Sequence, residues 1–278
     1  MLIDPGSSLV RGGASDRISL RRGLEDGEVH VWTTGTHDLE RGSLRDRASA
    51  LLSTEERTRS HRFHFDADRD LYLLSRALLR GALSLYEELA PVAWCFSFGK
   101  YGKPFLQANG DKSKPLRFNL SHAHGMAALV VARDRDVGID VEFTSSAPPF
   151  CSMEVCFAQD EIRELERRVG QSREARFWAL WTLRESYIKA TGMGFSAPMK
   201  TFSMIIQDDE SVALIHNGQA ARCGCWELAQ WPASDHHLLA VCARRLAAVP
   251  LRVRTFDVHP LLLDDANLGG AASTTGAP

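Results

Sequence analysis

Two apolar runs separated by four charged residues constrain this chain most. Met126-Ala-Ala-Leu-Val-Val-Ala132 is short enough for a buried strand. Val137-Gly-Ile-Asp-Val-Glu142 alternates, and Arg133-Asp-Arg-Asp136 between the runs reads as the turn of a hairpin. On the second strand Ile139 and Val141 point one way, while Asp140 and Glu142 point the other. The two carboxylates then stand side by side, with Cα atoms about 7 Å apart at strand rise. Like charges that close raise each other's pKa unless a cation shares them. For an all-oxygen pair that cation is Mg²⁺, Mn²⁺ or Ca²⁺. A solvated acidic face is the other reading of the same pattern.

A length of 278 residues allows one large domain or two of ordinary size. The net charge of −2 argues against a general nucleic-acid binder, so basic runs are judged locally. No stretch reaches the length of a membrane span, and no membrane partner is expected. The opening Met-Leu-Ile-Asp-Pro-Gly has no basic lead into an apolar core, so no signal peptide is expected. Cysteines at 95, 151, 156, 223, 225 and 242 show no disulfide-framework spacing. Cys223-Gly-Cys225 lacks a second close pair, which disfavours zinc and points to free thiols in a reducing cytoplasm.

Residues 1–24 are rich in Gly, Ser and Arg without periodicity and read as disordered, as does the 264–278 tail. Between them we expect an N-terminal lobe over 25–143 and a C-terminal lobe over 144–263, joined at the proline-containing 143–150 segment. Glu28–Thr33 alternates as a strand, Ser43 opens a short helix, and Ser53-Thr-Glu-Glu56 is a capping box. A longer helix is expected from Asp68 to Glu87, with Leu71, Leu74, Leu78 and Leu85 as its core stripe. Arg69, Arg76 and Arg80 form a second line along it, either salt-bridged and solvated or holding anionic phosphates. Leu116–Leu120 delivers Ser121 and His122 to a strand end, where His122 is a satisfied core histidine or a phosphate contact.

In the second half a helix over Glu174–Thr191, capped by Ser172 and ended by Gly192, is apolar nearly all round and should be buried. Glu185 and Lys189 nevertheless share one of its faces, and a carboxylate there must meet a partner or a metal. Runs over 201–206, 211–215, 221–230 and 237–243 then predict an antiparallel meander. The fold class is therefore α+β.

Four stretches together resemble the 4′-phosphopantetheinyl transferase family in its larger, two-lobed form. They are Gly102-Lys-Pro104, Asn119-Leu-Ser-His122, Gly138-Ile-Asp-Val-Glu142 and Phe177-Trp-x-x-Trp-x-x-Arg-Glu-Ser-Tyr-x-Lys189. The resemblance implies two pseudo-symmetric lobes, each a small antiparallel sheet on a long helix, with the active site between them. It implies transfer of the phosphopantetheine arm of coenzyme A to a serine of an apo acyl or peptidyl carrier protein, with Mg²⁺ (or Mn²⁺) and release of adenosine 3′,5′-bisphosphate. It carries the metal ligands onto Asp140, Glu142 and Glu185, and the catalytic roles onto Asp140, Glu185 and Lys189. Contact with coenzyme A falls to Lys103, Ser121, His122 and Lys189, with Arg59, Arg62 and Arg69 matching a variable basic region. Arg184 stands where many relatives have lysine, which keeps the charge and alters the geometry. One chain supplies every residue, so an active monomer is expected.

The residues also fit a metal-dependent phosphohydrolase using water as nucleophile, which would need no protein acceptor. A non-catalytic coenzyme A or carrier-protein binding module would require a broken metal set, and all three carboxylates are present. Trp178 and Trp181 read as core, and no P-loop is found.

Overall fold

The computed structural model describes residues 1–3, 7–11, 24–25, 27–40, 43–107, 114–216, 219–220, 225–246 and 249–257. One sheet has the strand order β1 (Leu2–Ile3), β12 (Trp226–Ser234), β13 (His237–Arg244), β8 (Val137–Phe143). A second runs β2 (Ser8–Arg11), β14 (Arg252–Asp257), β3 (Glu28–Gly35), β7 (Met126–Arg133), β6 (Leu116–Ala123). A hairpin of β4 (Phe96–Phe98) and β5 (Pro104–Leu106) stands apart, as does a sheet of β9 (Phe202–Ile206), β10 (Val212–His216) and β11 (Gln219–Ala220). The helices are α1 (Ser43–Ala50), α2 (Thr54–Ser60), α3 (Asp66–Leu83), α4 (Met153–Cys156), α5 (Gln159–Glu166) and α6 (Gly170–Thr191).

The layers follow from where the apolar faces go. Helix α3 covers one face of the five-stranded sheet through Leu78, Leu79 and Leu83 against Trp32, Leu129 and Val131. Helix α6 covers the four-stranded sheet through Leu183 and Tyr187 against Leu228, Ala240 and Cys242. The other faces of the two sheets meet each other over Val31, Val130, Ile139, Val141, Leu239 and Val241. Strand β7 is thus buried on both sides, which explains its unbroken apolar run: Ala127, Leu129 and Val131 face α3, while Ala128, Val130 and Ala132 face the four-stranded sheet. The α+β architecture, with each main sheet backed by a long helix, agrees with the sequence.

The hairpin does not form. Strand β7 lies between β3 and β6, whereas β8 joins the other sheet beside β13. Val137, Ile139 and Val141 meet Ala128, Val130 and Ala132 face to face rather than edge to edge, which buries more apolar surface than a two-stranded pairing would. Asp134, at φ 50°, turns the chain between the sheets. Arg135 pins that crossing by donating to Gly27 O (3.2 Å), Arg244 O (2.6 Å) and the Glu227 carboxylate (3.0 Å).

The chain therefore changes sheets before β8, not after residue 143, and β14 returns to the five-stranded sheet from the far end of the chain. Strand β14 runs parallel to β2 and β3, so that sheet is mixed rather than antiparallel. Residues 1–24 are not wholly without structure: β1 pairs with β12 and β2 with β14, while 12–23 lie outside the described residues. The expected meander divides between two sheets, and the expectation for 264–278 also lies outside the described residues. The capping box forms as read, with Glu56 N–H donating to Ser53 Oγ and Ser53 N–H to Glu56 Oε2. Helix α3 is shifted towards the N-terminus of its expected span, and α6 begins at Gly170, so Ser172 lies within it instead of capping it. Gly192 ends α6 in the left-handed region at φ 71°, which favours glycine.

Candidate active site

Strands β6 and β8 are the edge strands of their sheets, and they run beside each other without backbone pairing. An edge strand buried in this way leaves backbone N–H groups to satisfy. Asn119 and Ser121, two apart on β6 and so on one face, meet this need: Ile139 N–H donates to Asn119 Oδ1 (2.9 Å) and Val141 N–H to Ser121 Oγ (3.4 Å). The side chains of one lobe thus replace a strand partner for the other. That seam carries the chemistry.

Gly138, Asp140 and Glu142 face away from the inter-sheet core, towards α6. At Gly138 the helix comes so close that a Cβ would lie 2.1 Å from Ser186 O and 2.3 Å from Ala190 N. Only glycine permits this approach. On α6, Trp181, Glu185 and Lys189 are spaced by four and fall on one line. They are half-buried in a helix whose neighbouring positions are mostly fully buried, which marks the face turned towards the seam.

The groups meet there. Lys189 Nζ donates to Asp140 Oδ1 (2.6 Å) and to Ser121 Oγ (2.9 Å), and Ser121 Oγ donates to Asp140 Oδ1 (3.3 Å). Trp181 Nε1 donates to Glu142 Oε1 (2.9 Å). Burial pushes the Asp140 carboxyl up, opposed by Lys189 and Ser121. Burial and the Asp140 charge push Glu142 up to about 7, and the same two causes raise Glu185. Three carboxylates are therefore held near one another against their mutual repulsion, with a single lysine among them. Asp140 Oδ2 is buried and has no hydrogen-bond partner. Among the described residues no three His, Cys, Asp or Glu side chains form a preformed metal cage, so the predicted triad is adjacent but not converged. An orphaned buried carboxylate oxygen beside two raised carboxyls is the donor set of a hard cation, so the residues fit Mg²⁺.

The other predicted residues are distributed around this centre. His122 lies on the opposite face of β6 from Asn119 and Ser121, the face whose Phe118 packs with α3. Partial burial, then the charges of Lys189 and Arg76, hold its pKa below the ordinary value. Arg76 itself lines a groove of about 470 Å³ with Arg59, Tyr72 and Phe98, and both guanidinium groups pack on the Tyr72 ring. Arg59 also lines a second groove with Arg62, Thr58 and Phe63. Arg69 lines neither; it is bonded to Asp66 and to Phe63 O. Arg80, the third member of the stripe, is buried on Glu56 (2.6 Å) and on the carbonyls of Pro91 and Trp94. Lys103 Nζ donates to two backbone carbonyls, Val137 O and Ala190 O, both at 3.0 Å.

Arg184 points away from the seam. It donates to Glu161 Oε2 (2.7 Å) and Phe202 O (2.9 Å) and lies over the ring of Phe202. Sequence reasoning missed two roles: Asn119 as a backbone partner and Trp181 as the donor that orients Glu142; Arg76, already singled out in the basic line, is the member of it whose charge reaches His122. Trp178 does sit in the core. Trp181 carried a signal, four residues before Glu185 on the same helical line.

Comparisons with known proteins name one family. A family profile described as the 4′-phosphopantetheinyl transferase superfamily matches residues 136–242, and one described as the N-terminal part of such transferases matches 42–134. The two meet where the chain crosses between sheets. The 4′-phosphopantetheinyl transferase HetI of Nostoc is 34% identical over 61% of this chain and 70% of its own length. A 4′-phosphopantetheinyl transferase of Bacillus subtilis is 29% identical over 71% of this chain and 84% of its own. A holo-(acyl-carrier-protein) synthase of Bacillus anthracis, solved in complex with coenzyme A, covers 39% of this chain and 94% of its own at 17% identity and a TM-score of 0.33. With both halves of the seam inside the matched spans, the chain belongs to the 4′-phosphopantetheinyl transferase family.

Proposed function

We propose that Asp140, Glu142 and Glu185 would together hold a divalent cation, Mg²⁺ or Mn²⁺, beside bound coenzyme A. The chain is a phosphopantetheinyl transferase: it moves the 4′-phosphopantetheine arm of coenzyme A to a serine of an apo carrier protein, and adenosine 3′,5′-bisphosphate leaves. The observation that carries the cation assignment is the unpartnered, buried Asp140 Oδ2 among three carboxyls with raised pKa values.

When bound, the cation would neutralise the pyrophosphate as charge builds on the leaving group. The protein's own part is positioning and charge, which phosphoryl transfer chiefly requires. Trp181 orients Glu142 by its N–H, and Ser121 orients Asp140 by its hydroxyl. Lys189, held on Asp140 Oδ1 and half-buried, would share the phosphate charge beside that carboxylate. The Glu185 side chain makes no hydrogen bond among the described residues, and it is placed to take the serine proton, directly or through a water, although a carboxylate on the cation is a weakened base. The remaining phosphate of the donor would lie towards His122 and Arg76, with Arg59 and Arg62 lining the grooves beyond. Every group comes from one chain, so a monomer suffices. Exposed free thiols at Cys95 and Cys151 suit a reducing cytoplasm, and no helix among the described residues is long and apolar enough to cross a membrane.

A mass spectrum of an apo acyl carrier protein after incubation with the chain, coenzyme A and Mg²⁺ tests this reading. The expected result is one added phosphopantetheine arm, abolished by a chelator and restored by Mg²⁺ or Mn²⁺. Coenzyme A cleaved without any acceptor would instead make the protein a phosphohydrolase.

A further inference from the structure

The Gly-Lys-Pro turn belongs to the β4–β5 hairpin, a two-stranded element that pairs with neither main sheet. A lone hairpin of this size has little stability of its own, so its position must come from what it touches. Its tip reaches past its own lobe. The ideal Cβ position of Gly192 lies 3.4 Å from Lys103 Cδ, and that of Gly194 lies 3.4 Å from Tyr101 Cβ and O. Both glycines have positive φ (71° and 52°), so the chain leaving α6 is shaped to receive the tip.

Lys103 ends at a particular place. Val137 O belongs to the first residue of β8, one before Gly138, and Ala190 is the residue whose backbone a Gly138 side chain would strike. The ammonium thus bridges β8 and α6 at their closest approach. Ala190 O is one of the last carbonyls of α6, which lack partners within the helix and carry the negative end of its dipole. A cation there satisfies the helix end and draws it onto the strand. Next to Ala190 lies Lys189, and about one turn of α6 before Lys189 lies Glu185. Two residues beyond Gly138 lies Asp140. The spacing of these three groups therefore depends on how closely α6 sits on β8 at the point Lys103 bridges.

We propose that Lys103 is a positioning residue: it latches the hairpin of one lobe onto β8 and α6 of the other, and so sets Glu185 and Lys189 against Asp140, instead of binding the donor's phosphates. The resemblance gave Lys103 a donor contact, and the kinetic test below separates that role from this one. Two of the three donors of this half-buried lysine rest on backbone carbonyls, so turning the ammonium fully onto a phosphate would break the latch. This inference rests on the transferase reading for its kinetic test, though not for its structural one.

The test compares Lys103→Met with the wild-type chain, using coenzyme A, Mg²⁺ and an apo acyl carrier protein. A positioning role predicts a fall in kcat of about 10- to 100-fold with KM for coenzyme A changed by less than about threefold. It also predicts faster hydrogen exchange at Ala190–Gly194 in the variant without any ligand. Lys103→Gln, which keeps a donor but not the charge, should fall between the two, and it replaces the methionine variant if that one does not fold. A rise in KM larger than the loss of kcat would make Lys103 a donor ligand and overturn the proposal, as would unchanged kinetics or unchanged exchange. A wild-type chain that transfers nothing would instead refute the transferase reading, and the exchange measurement would still decide whether the latch exists.

Discussion

Glu142→Gln should make the metal-free protein more stable at alkaline pH, although it removes a residue of the active site. The Glu142 carboxyl is pushed from 4.5 to about 7 by burial and by Asp140. Between those values the folded protein holds a proton that the unfolded chain has lost, so unfolding free energy falls as pH rises through this window. Above pH 7 the cost is complete, about 3 kcal/mol at 1.36 kcal/mol per pH unit. Solvent reaching this half-buried group trims it to roughly 1–3 kcal/mol. Glutamine has the same shape, carries no charge, and can still accept from Trp181 Nε1, whose bond to Oε1 is 2.9 Å.

Thermal unfolding in a chelator at pH 8 should therefore show the variant melting higher, by about 3–6 °C for roughly 2 kcal/mol in a chain of this size. Near pH 5 the advantage should shrink towards zero, because the wild-type carboxyl is then protonated in the fold. With Mg²⁺ and coenzyme A the order should reverse, since the wild type gains more from a ligand its full carboxylate set can hold. A variant that is less stable than the wild type at pH 8 without metal, or whose advantage does not change with pH, would refute the claim that these carboxyls are held together against repulsion.

Asp140→Ala should leave the circular dichroism spectrum and melting temperature unchanged or slightly raised while transfer to an apo carrier protein nearly vanishes; a folded variant with near wild-type transfer would remove Asp140 from the metal set. Asn119→Ala strands the Ile139 N–H in the seam and should cost about 1–3 kcal/mol in urea unfolding, whereas an unchanged midpoint would mean that water replaces the side chain. Arg184→Lys keeps the charge but gives up the planar fork that serves Glu161, Met199 and Phe202. Stability should drop by about 2 kcal/mol with kcat within about twofold, and a large loss of kcat at unchanged stability would place Arg184 in the chemistry.

The features legible in the sequence are those set by neighbours along the chain. The Ser53–Glu56 box, the alternation of Val137–Glu142, the left-handed stop at Gly192 and the shared face of Glu185 and Lys189 all depend on residues within a turn or two, and all form. Asp140 and Glu142 therefore pointed to one face before any partner was known. The choice of partner for β8 was not legible, because an apolar strand face suits an adjacent strand or a facing sheet equally well. The core formed by Val130, Ile139 and Val241 decided it, and those residues are far apart in sequence. Long flexible side chains escaped for a related reason. Arg76 and Arg80 are one turn apart on one helix, yet Arg80 meets Glu56 and two carbonyls while Arg76 packs on Tyr72, lining the groove. Nothing in their spacing separates an internal strut from a groove residue.

The division of β8 from β7 also explains why the site lies where it does. Had the two strands formed a hairpin, the backbone N–H groups of Ile139 and Val141 would have been spent on β7, and Asp140 would have stood on the face of the first lobe's sheet. By crossing to the four-stranded sheet, β8 becomes an edge strand that must borrow acceptors from Asn119 and Ser121. The same crossing lets α6 settle on Gly138 and bring Lys189 to the Asp140 carboxylate. Ser121 then serves both demands with one oxygen, accepting from the backbone of β8 and from Lys189 while donating to Asp140. Cohesion of the lobes and assembly of the carboxylate cluster are consequently one event, so a substitution that loosens the seam should lower activity before it unfolds either sheet.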